Sequence, residues 1–139
     1  GILKPVTFIK TDKVPKGRRE FSADIMRDVV QMMVKVIEPG GTATRAAVAN
    51  YHVAGKTGTA KKAISGGYAD DRYQSVFAGI IPASAPRLAM VVMIDEPQGE
   101  YYGGAVAAPV FAEVMAGAMR LLNIAPDDLP MTQMQVAHK

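Results

Sequence analysis

Apolar side chains recur at spacings of three and four residues between Ser22 and Pro39, which predicts an amphipathic helix. Ser22 is the expected N-cap, and Pro39-Gly40-Gly41 is expected to end the helix. A short β-like run, Lys4–Lys10, precedes it, and a brief helical piece is expected at residues 42–50. The first third of the chain is therefore predicted to be mainly helical.

From Tyr51 onward the pattern changes to extended chain. Tyr51–Lys61 and Tyr73–Ile81 are predicted strands joined by a polar, glycine-bearing connection. Arg87–Ile94 is an unbroken apolar run, expected near the middle of a sheet. A largely apolar helix is then expected from about Pro109 to Leu122, covered on most sides.

The order helix, three strands, helix predicts an α+β fold in which an antiparallel sheet packs on helices. Residues 1–129 are expected to form one portion of a domain, and residues 130–139 a flexible polar tail. The chain starts without an initiator Met, so we expect it to continue a longer gene product.

Composition narrows the possible functions. A hydrophobic fraction of 49% with 21% charged residues is typical of a globular domain of 139 residues. The net charge of +3 and the absence of Trp argue against nucleic-acid binding. The absence of Cys excludes disulfides and a thiol nucleophile. His52 and His138 have no nearby ligand cluster in the sequence, so no metal site is expected.

The segment Val53–Lys62 carries the candidate chemistry, and its Gly-Lys-Thr could end a phosphate-binding loop. That loop needs Gly at the position occupied by Asn50 and a helix after the motif, whereas extended chain is predicted here. The alternative is a Lys-Thr-Gly-Thr strand lining a cleft. Alternation places Thr57 and Thr59 on one side, Lys56 supplies positive charge, and Gly58 permits close approach of a substrate.

Three stretches together carry a resemblance: GGTATRAAVANYHVAGKTGTAKK, YQSVFAGIIPASAPRLAMVVMIDEP and YYGGAVAAPVFAEVMAGAMRLLNI. They resemble the C-terminal part of the class B penicillin-binding proteins, most of all the division-specific transpeptidases of Gram-negative bacteria. The likeness runs from about Pro5 to Leu129. It implies the transpeptidase fold shared with serine β-lactamases, and a D,D-transpeptidase that cross-links septal peptidoglycan and is acylated by β-lactams.

The resemblance also implies roles for individual residues. Lys56 would complete a charge and hydrogen-bond network, Thr57 and Thr59 would bind the substrate carboxylate, and the Thr59 N–H would stabilise an oxyanion. Tyr101 and Tyr102 would form an aromatic wall beside the bound acyl side chain. The expected catalytic residues are Lys56, Thr57, Gly58 and Thr59, and the expected substrate-binding residues are Thr57, Thr59, Tyr101, Tyr102 and Gly103.

The chain departs from the family in one respect that matters for chemistry. None of its serines, Ser22, Ser65, Ser75 and Ser84, opens an S-x-x-K or S-x-N motif. We therefore expect the nucleophile to come from an upstream part of the same polypeptide, which would leave this chain with an open sheet edge and an exposed apolar face.

The expected ligands are D-Ala-D-Ala stem peptides and β-lactams, without metal or cofactor. Divisome membrane proteins are the expected partners, and the periplasmic face of the inner membrane is the expected location, with the anchor outside this chain. A serine β-lactamase and a non-catalytic penicillin-binding sensor or scaffold remain as alternatives.

Overall fold

The N-terminal segment forms less regular structure than its sequence predicts. The computed structural model describes residues 1–13 and 15–129. Strands β1 (Ile2–Leu3) and β2 (Arg18–Arg19) pair antiparallel. The predicted strand over Lys4–Lys10 is wrong: these residues are exposed and outside any strand. Pro5 cannot donate to a β-ladder, and this segment has no neighbouring strand to pair with among the described residues.

Helix α1 (Ala23–Lys35) confirms the amphipathic prediction. The Ser22 side chain caps it by accepting a hydrogen bond from the Ile25 N–H at 3.3 Å. A single turn of 3₁₀ helix, Thr44–Ala46, follows within the predicted brief helical piece. Gly40 has a φ of +89°, a left-handed conformation that favours glycine and turns the chain after the helix.

Three antiparallel strands form the sheet in the order β3 (Ala54–Ile64), β4 (Gly67–Ile81) and β5 (Leu88–Asp95). The predicted polar connection between the first two strands is mostly strand itself, because β3 and β4 continue as a hairpin to a tight turn. The prediction that Arg87–Ile94 lies mid-sheet is wrong within the described residues, since β4 is the central strand and β5 an edge. An unbroken apolar run is typical of a strand buried on both faces, yet Val91 and Met93 are 67% and 61% exposed.

Helices α2 (Gly103–Val106) and α3 (Ala108–Leu121) follow the sheet and pack on the face that carries Phe77 and Ile81. By length and composition the stretch Gly103–Leu121 would be able to cross a membrane, at 19 residues with a mean hydropathy of 1.3. Here one side of α3 packs into the core through Phe111, Met115 and Met119. Val110, Val114 and Leu121 are exposed, so the expectation that this helix is covered on most sides is wrong within the described residues. The expected tail, residues 130–139, lies outside the described residues.

The centre of the core is a pair of phenylalanines packed over a pair of glycines. Phe77 of β4 and Phe111 of α3 are fully buried, and their rings meet edge to face with centroids 5.0 Å apart. Gly55 and Gly79 lie opposite each other in the β3–β4 register. A Cβ at Gly79 would lie 2.9 Å from both rings, so only a bare backbone fits beneath them. This packing holds the strand position immediately before Lys56.

Candidate active site

Strand β3 presents the two predicted hydroxyls to one cleft. Thr57 and Thr59 are two residues apart and both line it, as strand alternation requires. The Thr57 hydroxyl lies 3.2 Å from the hydroxyl of Thr42, and the Thr59 hydroxyl accepts a hydrogen bond from the Gly103 N–H at 3.1 Å. Because Thr59 accepts from the backbone, its own hydrogen stays available to donate to an anion in the cleft.

Lys56 stands beside these hydroxyls at the protein surface. Its Nζ donates to the Thr57 carbonyl at 2.9 Å and lies 3.5 Å from Thr57 Oγ1. The side chain alternates to the other side of the strand, so Lys56 does not line the cleft itself. A cation and a hydroxyl therefore adjoin at the edge of the cleft, an arrangement that suits an anionic group.

Two glycines bring α2 into contact with the site strand. A Cβ at Gly103 would meet the backbone oxygens of Val76 and Gly58, the latter at 2.7 Å, and a Cβ at Gly104 would collide with the Thr42 carbonyl. By contrast, a Cβ at Gly58 would find only an ordinary contact, 3.6 Å from the Val76 Cβ. Packing therefore requires glycine at 103 and 104, whereas position 58 is sterically free within the described structure.

Three tyrosines stack in a row next to the cleft. The Tyr73 ring of β4 stacks on the Tyr101 ring, with centroids 4.1 Å apart and planes at 11°. The Tyr101 and Tyr102 rings are tilted against each other, with centroids 4.6 Å apart. The hydrogen bond and the charge interaction with Tyr101 raise the pKa of Tyr102 above its ordinary value, and partial burial and Glu100 act in the same direction. The row thus offers a continuous aromatic surface beside the cleft.

The backbone beneath the tyrosine row is held by hydrogen bonds. Ser75, fully buried on β4, donates its hydroxyl to the Tyr101 carbonyl. The Glu100 carboxylate accepts from the N–H groups of Tyr101 and Tyr102, at 2.9 and 3.2 Å. The aromatic surface is therefore anchored to the central strand of the sheet.

The cleft has a volume of about 350 Å³. Some of the predicted site residues line it, and others do not. It is lined by Thr42, Thr57, Thr59, Tyr102, Gly103 and Gly104. Lys56, Gly58 and Tyr101 flank this lining without belonging to it. A second cleft, about 360 Å³, lies between α1 and residues 47–53, but the carboxylates of Glu38 and Asp128 are among the groups that line it, and they would repel an anion. The hydroxyl-lined cleft is the better candidate for anion binding.

Sequence reasoning missed four residues at this site: Thr42, Tyr73, Ser75 and Gly104. Thr42 is 15 positions from Thr57, and no local pattern links the two. Tyr73 and Ser75 lie on a predicted strand, but Tyr101, which they contact, is 28 and 26 residues away in the sequence. The double glycine after the tyrosines was the one available signal, since adjacent glycines often mark close backbone approach.

Comparison with known proteins identifies a family that shares this sequence and fold. Residues 1–116 match the family model for the penicillin binding protein transpeptidase domain. The chain is 48% identical over 130 residues to the peptidoglycan D,D-transpeptidase FtsI of Escherichia coli K12, covering 93% of this chain and 22% of that protein. It is 46% identical over 127 residues to the probable peptidoglycan D,D-transpeptidase PenA of Neisseria meningitidis serogroup A, covering 91% and 22%.

A solved structure agrees with the fold as well. The apo transpeptidase domain of Burkholderia pseudomallei penicillin-binding protein 3 matches with a TM-score of 0.83 and 41% identity, covering 94% of this chain and 40% of that one. The predicted antiparallel sheet packed on helices is thus confirmed as the fold of that domain. The chain spans about a fifth of the length of the curated relatives. On the family match over residues 1–116, the chain belongs to the penicillin-binding protein transpeptidase domain family.

Proposed function

We propose that this chain forms one wall of the acyl-enzyme site of a peptidoglycan D,D-transpeptidase that cross-links stem peptides at the division septum. The observation that carries the proposal is the pair of hydroxyls, Thr57 and Thr59, converging from one strand on a cleft beside Lys56. Such a pair with an adjacent cation suits the terminal carboxylate of a D-Ala-D-Ala peptide, or the carboxylate of a β-lactam.

In the proposed reaction, a serine hydroxyl from outside this chain attacks the carbonyl of the penultimate D-Ala. The peptide bond breaks, terminal D-Ala leaves with a proton, and an ester to the serine remains. The amine of an acceptor peptide then attacks the ester, forming the cross-link and releasing the serine. Thr57 and Thr59 hold the carboxylate, the Thr59 N–H donates to the oxyanion, and Lys56 stabilises the charge that develops.

The remaining site residues have supporting roles in the proposal. Gly58 leaves space for the substrate backbone, which agrees with the steric freedom at that position. Tyr101 and Tyr102 form a wall for the acyl side chain, and Gly103 holds the Thr59 hydroxyl through its N–H. Residues 1–129 form this portion of the domain. The partners would be divisome membrane proteins, at the periplasmic face of the inner membrane.

The test uses the complete gene product that contains this chain. Lys56→Ala should lower the rate of labelling by fluorescent penicillin by about a hundredfold, the lower end of the loss of about 10²–10³ that follows removal of one oxyanion-hole donor. Lys61→Ala is the matched control, because Lys61 pairs at 3.4 Å with the fully exposed Asp70. Unchanged labelling and cross-linking by Lys56→Ala would show that the role proposed for Lys56 is wrong, whereas penicillin labelling of the unmodified protein without any cross-linking would favour the non-catalytic sensor.

The same preparation separates a transpeptidase from a β-lactamase. A transpeptidase should hold the penicilloyl ester for many minutes, whereas rapid release of hydrolysed penicillin would identify a β-lactamase. Release is followed by chasing the labelled protein with unlabelled drug.

A further inference from the structure

Lys62 lies at an irregularity in the β3–β4 pairing. Lys61 pairs with Tyr73 and Ala63 with Tyr68, so Lys62 has no partner of its own, while residues 69–72 of β4 lie opposite it. Such irregularities re-aim side chains and often occur next to active sites. Here the side chain of Lys62 reaches past β4 to the end of β5.

At the end of β5 Lys62 meets two carboxylates. Its Nζ lies 2.8 Å from both Asp95 Oδ2 and Glu96 Oε1, and the Lys62 side chain is 24% exposed. Arg72 of β4 adds a longer pair to Glu96, at 3.8 Å. The hydrogen bonds to Asp95 and Glu96 raise the pKa of Lys62, and the Lys62 hydrogen bond lowers the pKa of Asp95. One cation thus ties the first strand of the sheet to the last.

Glu96 is also the point where the chain leaves the sheet toward the tyrosine row. Its φ is +50°, a left-handed conformation that is costly for a non-glycine residue and persists only where its surroundings hold it. Its N–H donates to the Tyr73 carbonyl at 2.9 Å. The Tyr73 ring stacks on Tyr101. The Lys62–Glu96 pair is therefore connected to the row of tyrosines through the Tyr73 backbone.

We infer that Lys62 is a positioning residue for recognition of the acyl side chain: its ion pairs hold residues 96–102 so that Tyr101 and Tyr102 stand beside the cleft. The inference rests on the proposed function, in which those tyrosines contact the acyl group. Lys62 itself contacts neither substrate nor nucleophile. Its loss should change which acyl groups are preferred, with little effect on attack at the carbonyl.

The experiment compares two β-lactams that differ in the acyl group alone, with the complete gene product as the protein. Benzylpenicillin carries an aromatic acyl group, and 6-aminopenicillanic acid carries none. Second-order acylation rate constants are measured for both compounds. Lys62→Met should lower the ratio of the benzylpenicillin constant to the 6-aminopenicillanic acid constant by about three- to tenfold, the range expected for a lost aromatic contact.

Three further variants sharpen the test. Glu96→Gln should also lower the ratio, because it removes the carboxylate that Lys62 binds at the start of residues 96–102 while leaving Asp95 in place. Lys62→Arg should restore the ratio, since it keeps the cation. Lys61→Met is the matched control and should leave the ratio unchanged, because its partner Asp70 is fully exposed and the Lys61–Asp70 pair includes neither Asp95 nor Glu96.

The possible outcomes distinguish failure of the positioning role of Lys62 from failure of the proposed transpeptidase function. An unchanged ratio in Lys62→Met, an equal fall of both constants, or the same fall in Lys61→Met would each overturn the positioning role. Preserved acylation by 6-aminopenicillanic acid shows that a variant is folded. If the unmodified protein is acylated by neither compound, the proposed function itself is wrong.

Discussion

Replacing Gly79 by Ala places a methyl group between the two central rings of the core. The new Cβ would lie 2.9 Å from Phe111 Cε2 and Cζ and from Phe77 Cε1. Carbon atoms pack best at about 3.5–4.0 Å, so the rings would have to move by roughly 0.6–1.1 Å. Both rings are fully buried, which leaves them little room to do so.

Overpacking of this kind costs typically about 1–3 kcal/mol. Part of that cost is offset, because Ala restricts the unfolded chain and gains about 0.4–1 kcal/mol where the backbone conformation suits it. Gly79 does not have a left-handed φ, so no backbone strain is added. We expect Gly79→Ala to lower the free energy of unfolding by about 1–2 kcal/mol.

The matched control is Gly117→Ala in the interior of α3. A Cβ at Gly117 would have no neighbour within 4 Å, so this variant should gain about 0.5–1 kcal/mol from helix propensity. Urea unfolding of both variants, followed by far-UV circular dichroism, gives the two differences at unchanged m-value. If Gly79→Ala is as stable as the unmodified chain, the packing of Phe77 and Phe111 does not require glycine at position 79.

Three further outcomes are expected. Asp127→Ala should lower the free energy of unfolding by about 1–3 kcal/mol in urea titrations, because the Asp127 carboxylate accepts from the His52 N–H at 2.8 Å and from the Ser84 hydroxyl at 2.6 Å; a change no larger than about 0.5 kcal/mol, typical of a surface site, would contradict this. The difference in stability between the unmodified chain and Lys62→Met should be constant at neutral pH. It should shrink as pH falls through the lowered pKa of Asp95, below 3.8, and as pH rises through the raised pKa of Lys62, above 10.5. A difference independent of pH over that whole range would show that the ion pairs contribute nothing. Finally, the 139-residue chain alone should form no covalent adduct with fluorescent penicillin, since none of its serines opens an S-x-x-K motif; a labelled band on a denaturing gel would refute that reasoning.

Local signals in the sequence predicted the elements that depend on neighbours along the chain. Helix α1 and the position of Thr57 and Thr59 on one side of β3 follow from periodicities of 3.6 and 2 residues, and both are found in the structure. The strand predicted over Lys4–Lys10 was wrong because apolar content alone does not supply a pairing partner. The mid-sheet position of β5 was wrong because an apolar run does not say what covers each face.

The parts of the site that sequence could not predict depend on contacts across long separations. Thr42 reaches Thr57 because Gly104 lets α2 pack directly on the Thr42 backbone. The Lys62 ion pairs cross 33 and 34 positions, and they form because the strand register shifts at that residue. Neither contact has a periodicity that a single sequence could display.

The register shift beside Lys62 also divides the β3–β4 hairpin into two parts with different tolerance to change. Between Ala54 and Lys61 each residue has a fixed partner, so one inserted residue would turn Thr57 and Thr59 away from the cleft. Beyond the shift, the chain turns at Gly66 and Gly67, both with positive φ and with open space around them. A peptide tag or a fluorophore-bearing insertion at this tip can therefore be accommodated without changing the register at the site. The turn at Gly66 and Gly67 is therefore a suitable insertion point, whereas the paired part of β3, residues 54–61, is not.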